Sequence, residues 1–230
     1  MNRAAEAPRA PAVGGLALVL VTPGDRPAAR TLALANAALD GGVTAVLLRE
    51  PQLPDAEREA LGLALAAACR ARGALVLVSR DAGLALRVGA DGVQAGWGGP
   101  DVDALRAAAP RLQVGRSAHW PLLTQDLRAD WITLSPFRDT PRSHPRALLA
   151  PVQVRTLLDT PGLPPCVALG GLTEADVPGL PAGLVGVAVL RALGDAADPR
   201  AAAARLRAAV DARLRGAARF ATPAAAEPRP

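Results

Sequence analysis

Lysine and tyrosine are absent from this chain of 230 residues, and aromatic residues make up only 2% of it. All 26 lysine-plus-arginine positions are therefore arginines, and they are spread along the chain rather than clustered. Amino acids with A/T-rich codons are scarce, so a GC-rich genome explains the net charge of +5 more simply than a polyanionic ligand does. Without a basic cluster or aromatic stacking residues, we predict no nucleic-acid partner.

Cysteine is also rare, with Cys69 and Cys166 far apart in apolar segments. This number and spacing fit neither a metal-binding motif nor a disulfide framework. No apolar run approaches the roughly 20 residues that a membrane-spanning helix needs. The first dozen residues lack the apolar centre of a signal peptide. We therefore expect a cytoplasmic protein without a membrane partner.

What the chain does contain is an alternation of short Val- and Leu-rich runs with longer segments of helical periodicity. Two Ala- and Pro-rich ends flank them, so we expect loose tails at 1–12 and 217–230 and one domain at 13–216. Strands are predicted at 16–22, 44–50, 74–80, 92–95, 112–119, 129–137, 165–171 and 183–191. Helices are predicted at 27–40, 55–72, 82–88, 101–109, 122–128, 147–158, 173–177 and 199–215.

The apolar runs are nearly continuous, which is typical of parallel strands that are buried on both faces. Eight β-then-α units predict an α/β fold, a single (β/α)8 TIM barrel. A doubly wound open sheet is the alternative. It would carry a glycine-rich dinucleotide turn after the first strand, and the sequence there, VTPGDR at 21–26, has no such turn.

In a barrel of this kind the active site forms at the carboxyl ends of the strands. Gly170 and Gly171 follow the seventh strand and precede the helix predicted from Thr173. Phosphate commonly binds after strands seven and eight, where backbone N–H groups and a helix N-terminus favour an anion. The alternative for these two glycines is an ordinary tight turn.

Two further polar side chains end predicted strands. Arg49 ends the second strand and could bind a carboxylate or phosphate through two N–H groups, or pair with Glu50. His119 ends the fifth strand, where a histidine can transfer protons near neutral pH. The other histidine, His144, lies in a proline-containing loop, where a solvated role is more common.

Six segments, in this order and spacing, resemble the thiamine phosphate synthase/TenI superfamily over about residues 16–212. They are the Arg49-Glu50 pair after GGVTAVLL, GADGVQAG at 89–96, VGRSAH at 114–119, ADWITLSPF at 129–137, VALGGLT at 167–173 and GLVGVAVLRAL at 183–193. The resemblance implies a TIM barrel whose ligand is a small phosphorylated heterocycle. The family's synthases couple a pyrimidine pyrophosphate to a thiazole phosphate with Mg²⁺. Its TenI-like members aromatise a thiazole carboxylate phosphate by proton transfer.

The chain departs from the synthase pattern where that pattern holds its metal. The synthase Asn-Asp pair aligns with Ser79-Arg80, and the source of the second acidic ligand aligns with GWGG at 96–99. Lysines of the pattern are replaced at Pro51 and in TPRS at 140–143. Because departing pyrophosphate needs its charge neutralised, we expect synthase chemistry to be crippled here. We expect no metal and no cofactor, Mg²⁺ included.

The TenI-like pattern is better preserved, with RSAH intact at 116–119 and Gln94 where synthases usually carry histidine. The resemblance therefore predicts an isomerase of thiamine biosynthesis, a thiazole tautomerase in which His119 moves the proton. The expected substrate-binding residues are Arg49, Gln94, Ser117, Gly170, Gly171 and the backbone at Ala188 and Val189. The alternatives are a thiamine phosphate synthase, which is a transferase, and a non-catalytic regulatory protein that binds thiamine phosphate. The oligomeric state stays open, with a homo-oligomer among the options.

Overall fold

The computed structural model describes residues 13–139 and 147–220. Eight parallel strands, each paired with its neighbours in chain order, close into a barrel in which β1 also pairs with β8. The strands are β1 (Leu18–Val21), β2 (Ala45–Leu48), β3 (Leu75–Ser79), β4 (Gly92–Ala95), β5 (Gln113–Ala118), β6 (Trp131–Leu134), β7 (Cys166–Leu169) and β8 (Leu184–Val189). The predicted (β/α)8 TIM barrel is confirmed, and most strands are shorter at both ends than predicted.

Helices cover the outside of the barrel. They are α1 (Ala28–Asp40), α2 (Asp55–Arg70), α3 (Ala82–Val88), α4 (Val102–Ala108), α5 (Pro151–Leu158), α6 (Arg191–Gly194) and α7 (Pro199–Phe220). Short 3-10 helices lie at Val13–Leu16, Thr124–Arg128 and Glu174–Gly179. The α-helices predicted at 122–128 and 173–177 are thus 3-10 turns, and α6 was not predicted.

Two helix boundaries differ from the predicted ones. The helix predicted from residue 147 begins at Pro151, because proline has no N–H to donate and its fixed φ suits the first helical position. The last helix continues to Phe220, past the expected domain end at 216. The expected tails at 1–12 and 221–230 lie outside the described residues, so the domain limits stay a prediction.

The hydrophobic core has two layers, because every strand presents alternate side chains to the inside and the outside of the barrel. The inner layer fills the barrel and includes Val19, Leu47, Leu77, Trp131 and Val167. The outer layer packs the strands against the helices. The inward-facing residues Gln94, Ser117 and Thr133, nearer the carboxyl ends of β4, β5 and β6, are polar and form part of the mouth of the barrel. In the part of the chain that the structure describes, no helix is both long and apolar enough to span a bilayer.

Both cysteines belong to the outer core layer, where Cys69 is 0% and Cys166 is 1% exposed. Burial raises the pKa of each thiol to about 12, since the thiolate would be poorly solvated. Neither thiol is therefore a nucleophile in the folded protein. We expect a water-soluble thiol reagent to label neither of them at mildly alkaline pH, and both after unfolding in guanidinium. Rapid labelling of the native chain would contradict this assignment.

Candidate active site at the barrel mouth

Gln94 lies near the carboxyl end of β4, and its side chain is 3% exposed. Its Nε2 donates to Thr133 Oγ1 at 3.1 Å and to Ser117 Oγ at 3.3 Å. These hydroxyls come from β6 and β5, so the amide joins three strands across the mouth. Its Oε1 atom is buried and has no hydrogen-bond partner among the described residues. A buried acceptor without a partner is costly, and a bound N–H donor would satisfy it.

Gly115 provides the space that this amide occupies. A Cβ atom at residue 115 would collide with the ring of Trp131 and with Gln94 Oε1. Residue 115 lies on β5 between the Trp131 ring and Gln94 Oε1, and it must therefore lack a side chain. The small residue here lets the Trp131 ring fill the barrel directly beneath the polar groups, which separates the apolar core from the mouth.

His119 follows β5 at the mouth and is partly buried. Its Nδ1 lies 2.7 Å from the carbonyl oxygen of Ser135. Because a carbonyl only accepts, Nδ1 is the donor in this contact. The Trp97 ring meets the imidazole edge-on, with the ring centroids 4.8 Å apart. These two contacts fix the orientation of the imidazole ring.

Arg49 and Glu50, at the end of β2, differ in what they contact. Glu50 is 1% exposed, accepts from the backbone N–H of Gly24 at 3.2 Å and accepts from Gln52 Nε2 at 2.7 Å. The hydrogen bond from Gly24 thus holds the loop after β1 against the Glu50 carboxylate. The exposed Arg49 guanidinium makes no hydrogen bond or ion pair within 13–139 and 147–220, whereas its backbone N–H donates to Thr22 Oγ1. A salt bridge to Glu50 is therefore absent, and the Arg49 cation remains available to an anion.

Gly170 and Gly171 follow β7 with φ angles of +105° and +63°, which glycine adopts without strain. A Cβ at Gly170 would approach Pro136 Cα to 2.9 Å, and one at Gly171 would approach Arg138 Cβ to 2.8 Å. Close packing against the loop after β6 is thus one reason why both positions are occupied by glycine. This observation favours the tight-turn alternative without excluding a phosphate at their backbone N–H groups.

The helix expected to support that phosphate is not formed. The segment after Thr173 is a six-residue 3-10 helix, and both Thr173 N and Thr173 Oγ1 donate to Asp176 Oδ2. An acidic side chain of the chain itself therefore occupies the start of this helix. Asp176 also accepts from Arg138 Nε at 2.7 Å, which ties the loop after β6 to the loop after β7.

Ala188 and Val189 are the last residues of β8 and are 1% and 3% exposed. They pair with Val19 and Leu20 of β1. Their side chains contact the core, so only their backbone could meet a ligand. The remaining residues of the expected site, Gln94, Ser117 and His119, do lie together at the mouth.

A cavity of about 830 Å³ adjoins the mouth at the ends of β2 and β3. Three arginines and two carboxylates line it, namely Arg49, Arg58, Arg80, Glu50 and Asp81. Arg49, Glu50, Arg80 and Asp81 follow strand ends in the sequence, whereas Arg58 lies in helix α2 and carries no strand-end signal. Of the expected site residues, only Arg49 lines this cavity.

The two positions where the resemblance expects metal-binding carboxylates are neighbours in space. The Arg80 side chain lies against Gly96, and Arg80 Nη2 donates to the carbonyl oxygen of Trp97 at 2.7 Å. A guanidinium and two glycines, Gly96 and Gly99, offer a divalent cation no ligand and add a repelling charge. Across the described ranges, no group of three or more His, Cys, Asp or Glu side chains could hold a metal. The residues present do not fit Mg²⁺ here. The replaced loop TPRS at 140–143 and His144 lie outside the described residues.

Arg116, the first residue of RSAH, has a structural role that its motif does not reveal. Its side chain points outward from β5 and is 4% exposed, and its Nε donates to Asp126 Oδ1 at 3.0 Å. Asp126, which is fully buried, also accepts from the backbone N–H of Leu123 at 2.8 Å. The pair anchors the 3-10 helix Thr124–Arg128 to the barrel.

Comparison with known proteins identifies similar chains over most of this length. The family model described as thiamine monophosphate synthase matches residues 18–193. A thiamine-phosphate synthase from Geobacillus kaustophilus is 36% identical over 82% of this chain and 87% of its own. One from Thiobacillus denitrificans is 38% identical over 77% of this chain and 86% of its own. The crystal structure of thiamine phosphate pyrophosphorylase from Pyrococcus furiosus superposes with a TM-score of 0.77 at 27% identity, over 88% of this chain and 98% of its own.

These relatives overturn the functional prediction that was drawn from the TenI-like motif. The expected isomerase, a thiazole tautomerase, is wrong, because the relatives reported above are named thiamine-phosphate synthase or thiamine phosphate pyrophosphorylase. The misleading signals were RSAH and Gln94. Arg116 of that motif pairs with Asp126, and Gln94 forms a hydrogen bond to Thr133.

Proposed function

Because this chain belongs to the thiamine phosphate synthase/TenI superfamily, we propose that it forms thiamine phosphate by joining a pyrimidine diphosphate to a thiazole phosphate with release of pyrophosphate. The observation that carries the proposal is sequence identity of 36–38% to proteins named thiamine-phosphate synthase across about four-fifths of the chain. A cytoplasmic location and an assembly of several copies stay part of the proposal.

In this proposal the polar residues of the mouth bind the two heterocycles. Gln94 Oε1 accepts from an N–H group of the substrate, since that atom is otherwise buried without a partner. Ser117 lies on β5 and His119 directly follows that strand, and they present a hydroxyl and an imidazole to the mouth. His119 is here a binding group rather than a proton shuttle.

The phosphate of the thiazole is assigned to the backbone at Gly170, Gly171 and the end of β8, near Ala188 and Val189. The positional preference of phosphates in TIM barrels supports this assignment. The exposed cation of Arg49 lies at the end of β2, two strands away from β8. Two anionic groups on the substrates thus have two separate places to bind.

A second candidate is a non-catalytic protein that binds thiamine phosphate, and one observation favours it. The chain places a guanidinium and glycines where the resemblance expects metal-binding carboxylates. A barrel that kept the ligand site but lost the means to release pyrophosphate would bind without turnover.

One assay separates the two candidates. We expect the purified chain, given both substrates, to accumulate thiamine phosphate, measured as thiochrome fluorescence, together with an equal amount of pyrophosphate. Substituting alanine for His119 should lower kcat/KM about tenfold, the effect of one lost hydrogen bond to a ligand. Binding of thiamine phosphate by calorimetry without any turnover would favour the second candidate. Absence of both would overturn the proposed function.

A further inference from the structure

The backbone of Arg80 is held in a conformation that side chains rarely adopt. Its φ angle is +66°, and among the described residues it is the one non-glycine with a positive φ. For an ordinary L-residue this conformation is unfavourable, because Cβ comes too close to the following carbonyl oxygen. The hydrogen bond from Arg80 N to Gln94 O at 2.9 Å helps to maintain it. Such strain is characteristic of functional positions, where the surrounding structure fixes a side chain in one place.

The strained backbone directs the guanidinium over the turn after β4. Arg80 Nη2 donates to the Trp97 carbonyl, and the missing side chain of Gly96 leaves room for the guanidinium. The ring of Trp97 in turn contacts His119. Arg80 therefore lies between the arginine-lined cavity and the mouth. A guanidinium has five N–H donors, and its bond to Trp97 uses one of them.

The charges of the cavity leave a surplus of cations. Of its two carboxylates, Glu50 is bound by Gly24 and Gln52, and Asp81 accepts from the backbone N–H of Leu84. Asp81 also lies 3.5 Å from Arg58 Nη2. Within the described residues, neither Arg49 nor Arg80 forms an ion pair with a carboxylate. Two cations thus face the same cavity, which suits a ligand with several negative charges.

Part of this surplus positive charge lies where the resemblance expects a metal-binding carboxylate, at Arg80. Where a divalent cation would be held by carboxylates, this chain places a permanent cation of its own, since arginine stays protonated. We propose that Arg80, together with Arg49, binds the diphosphate of the pyrimidine substrate in place of a metal ion. The inference rests on the proposed coupling reaction and names how its leaving group is bound.

The chemical step balances without an added ion. The bond between the pyrimidine's carbon and the diphosphate oxygen breaks, and its electron pair leaves with pyrophosphate. A lone pair of the thiazole ring nitrogen forms the new bond to that carbon. The charge that develops on the departing oxygen is met by the Arg80 and Arg49 guanidiniums, which donate N–H groups without reorganising. No proton, oxidant or reductant is consumed.

The first measurement is the binding of inorganic pyrophosphate in the presence of EDTA, by calorimetry. We expect the unmodified chain to bind it and Arg80→Gln to bind it about 10- to 100-fold more weakly, as expected for loss of a charged hydrogen-bonding group. Arg80→Lys should lose less, because it keeps the charge. Arg111→Gln is the matched control, since Arg111 is exposed and precedes β5 at the opposite end of the barrel. Equal binding by Arg80→Gln and Arg111→Gln would overturn the inference.

The second measurement is the coupling rate with EDTA and with added Mg²⁺. We expect the rate to be the same in both, and to fall in Arg80→Gln while Arg111→Gln keeps it. Coupling that EDTA abolishes and Mg²⁺ restores would overturn the inference and leave the proposed function standing. If Arg80-dependent binding of pyrophosphate were found without any coupling, the proposed reaction would be rejected and the anion site at Arg80 would stand.

Discussion

Replacing Arg116 with methionine should lower the free energy of unfolding by about 3–5 kcal/mol. The guanidinium is 4% exposed and the carboxylate of Asp126 is 0% exposed, so the substitution leaves a buried negative charge without its partner. The stem of methionine fills much of the same volume, which keeps the loss of packing small. Urea denaturation followed by circular dichroism gives the difference, provided that the slope of the unfolding curve is unchanged.

Two variants show whether the loss comes from the unpaired charge. Replacing Asp126 with asparagine in the Arg116→Met background removes that charge and keeps an acceptor for Leu123 N, so part of the stability should return. Arg205→Met, which breaks the exposed pair between Arg205 and Glu174, should cost less than about 1 kcal/mol. Equal losses from the buried and the exposed pair would show that Arg116 is not a structural anchor.

The barrel could be predicted from sequence because its signals are local and repeated. Eight apolar runs, each followed by a helical segment, restrict the topology strongly, since parallel strands need a crossover between them. The ends of the predicted strands were less accurate than the number and order of the strands. The strand predicted at 129–137 was extended to the apolar Phe137, whereas β6 ends at Leu134, before Pro136. The helices predicted at 122–128 and 173–177 are 3-10 helices, and periodicity over so few residues does not distinguish a 3-10 helix from an α-helix.

The site could be predicted only in part, because its decisive contacts join distant segments. The positions of Gln94, Ser117 and His119 at strand ends are visible in the sequence, but the bridge from Gln94 to Thr133 is not. The positive φ of Arg80 also has no sequence signal. Motif resemblance then assigned a catalytic histidine motif to a segment whose Arg116 anchors the fold, and this led to the wrong activity.

The other prediction with a large effect concerns Gln94, whose replacement by methionine should affect ligand binding more than stability. The variant removes a buried oxygen that has no partner in the described structure, but it also removes the hydrogen bonds from Nε2 to Thr133 and Ser117. These two effects oppose each other, so the free energy of unfolding should change by less than about 2 kcal/mol. Under the proposed function the same oxygen accepts from the bound heterocycle. Affinity for thiamine phosphate should then fall by about 5- to 150-fold, the equivalent of 1–3 kcal/mol.

Calorimetric titration with thiamine phosphate and with inorganic pyrophosphate identifies which part of the ligand Gln94 contacts. Loss of affinity for thiamine phosphate alone would place Gln94 against the heterocycle, whereas loss for both would indicate a collapsed mouth. Gln113→Met is the matched control, because Gln113 begins the same β5 strand that ends at the mouth and is 9% exposed. It should leave both affinities unchanged, since it lies at the opposite end of the barrel. If Gln94→Met bound thiamine phosphate with the same affinity as the unmodified chain, Gln94 Oε1 would not accept a hydrogen bond from the ligand. The heterocycle would then have to bind elsewhere in the mouth.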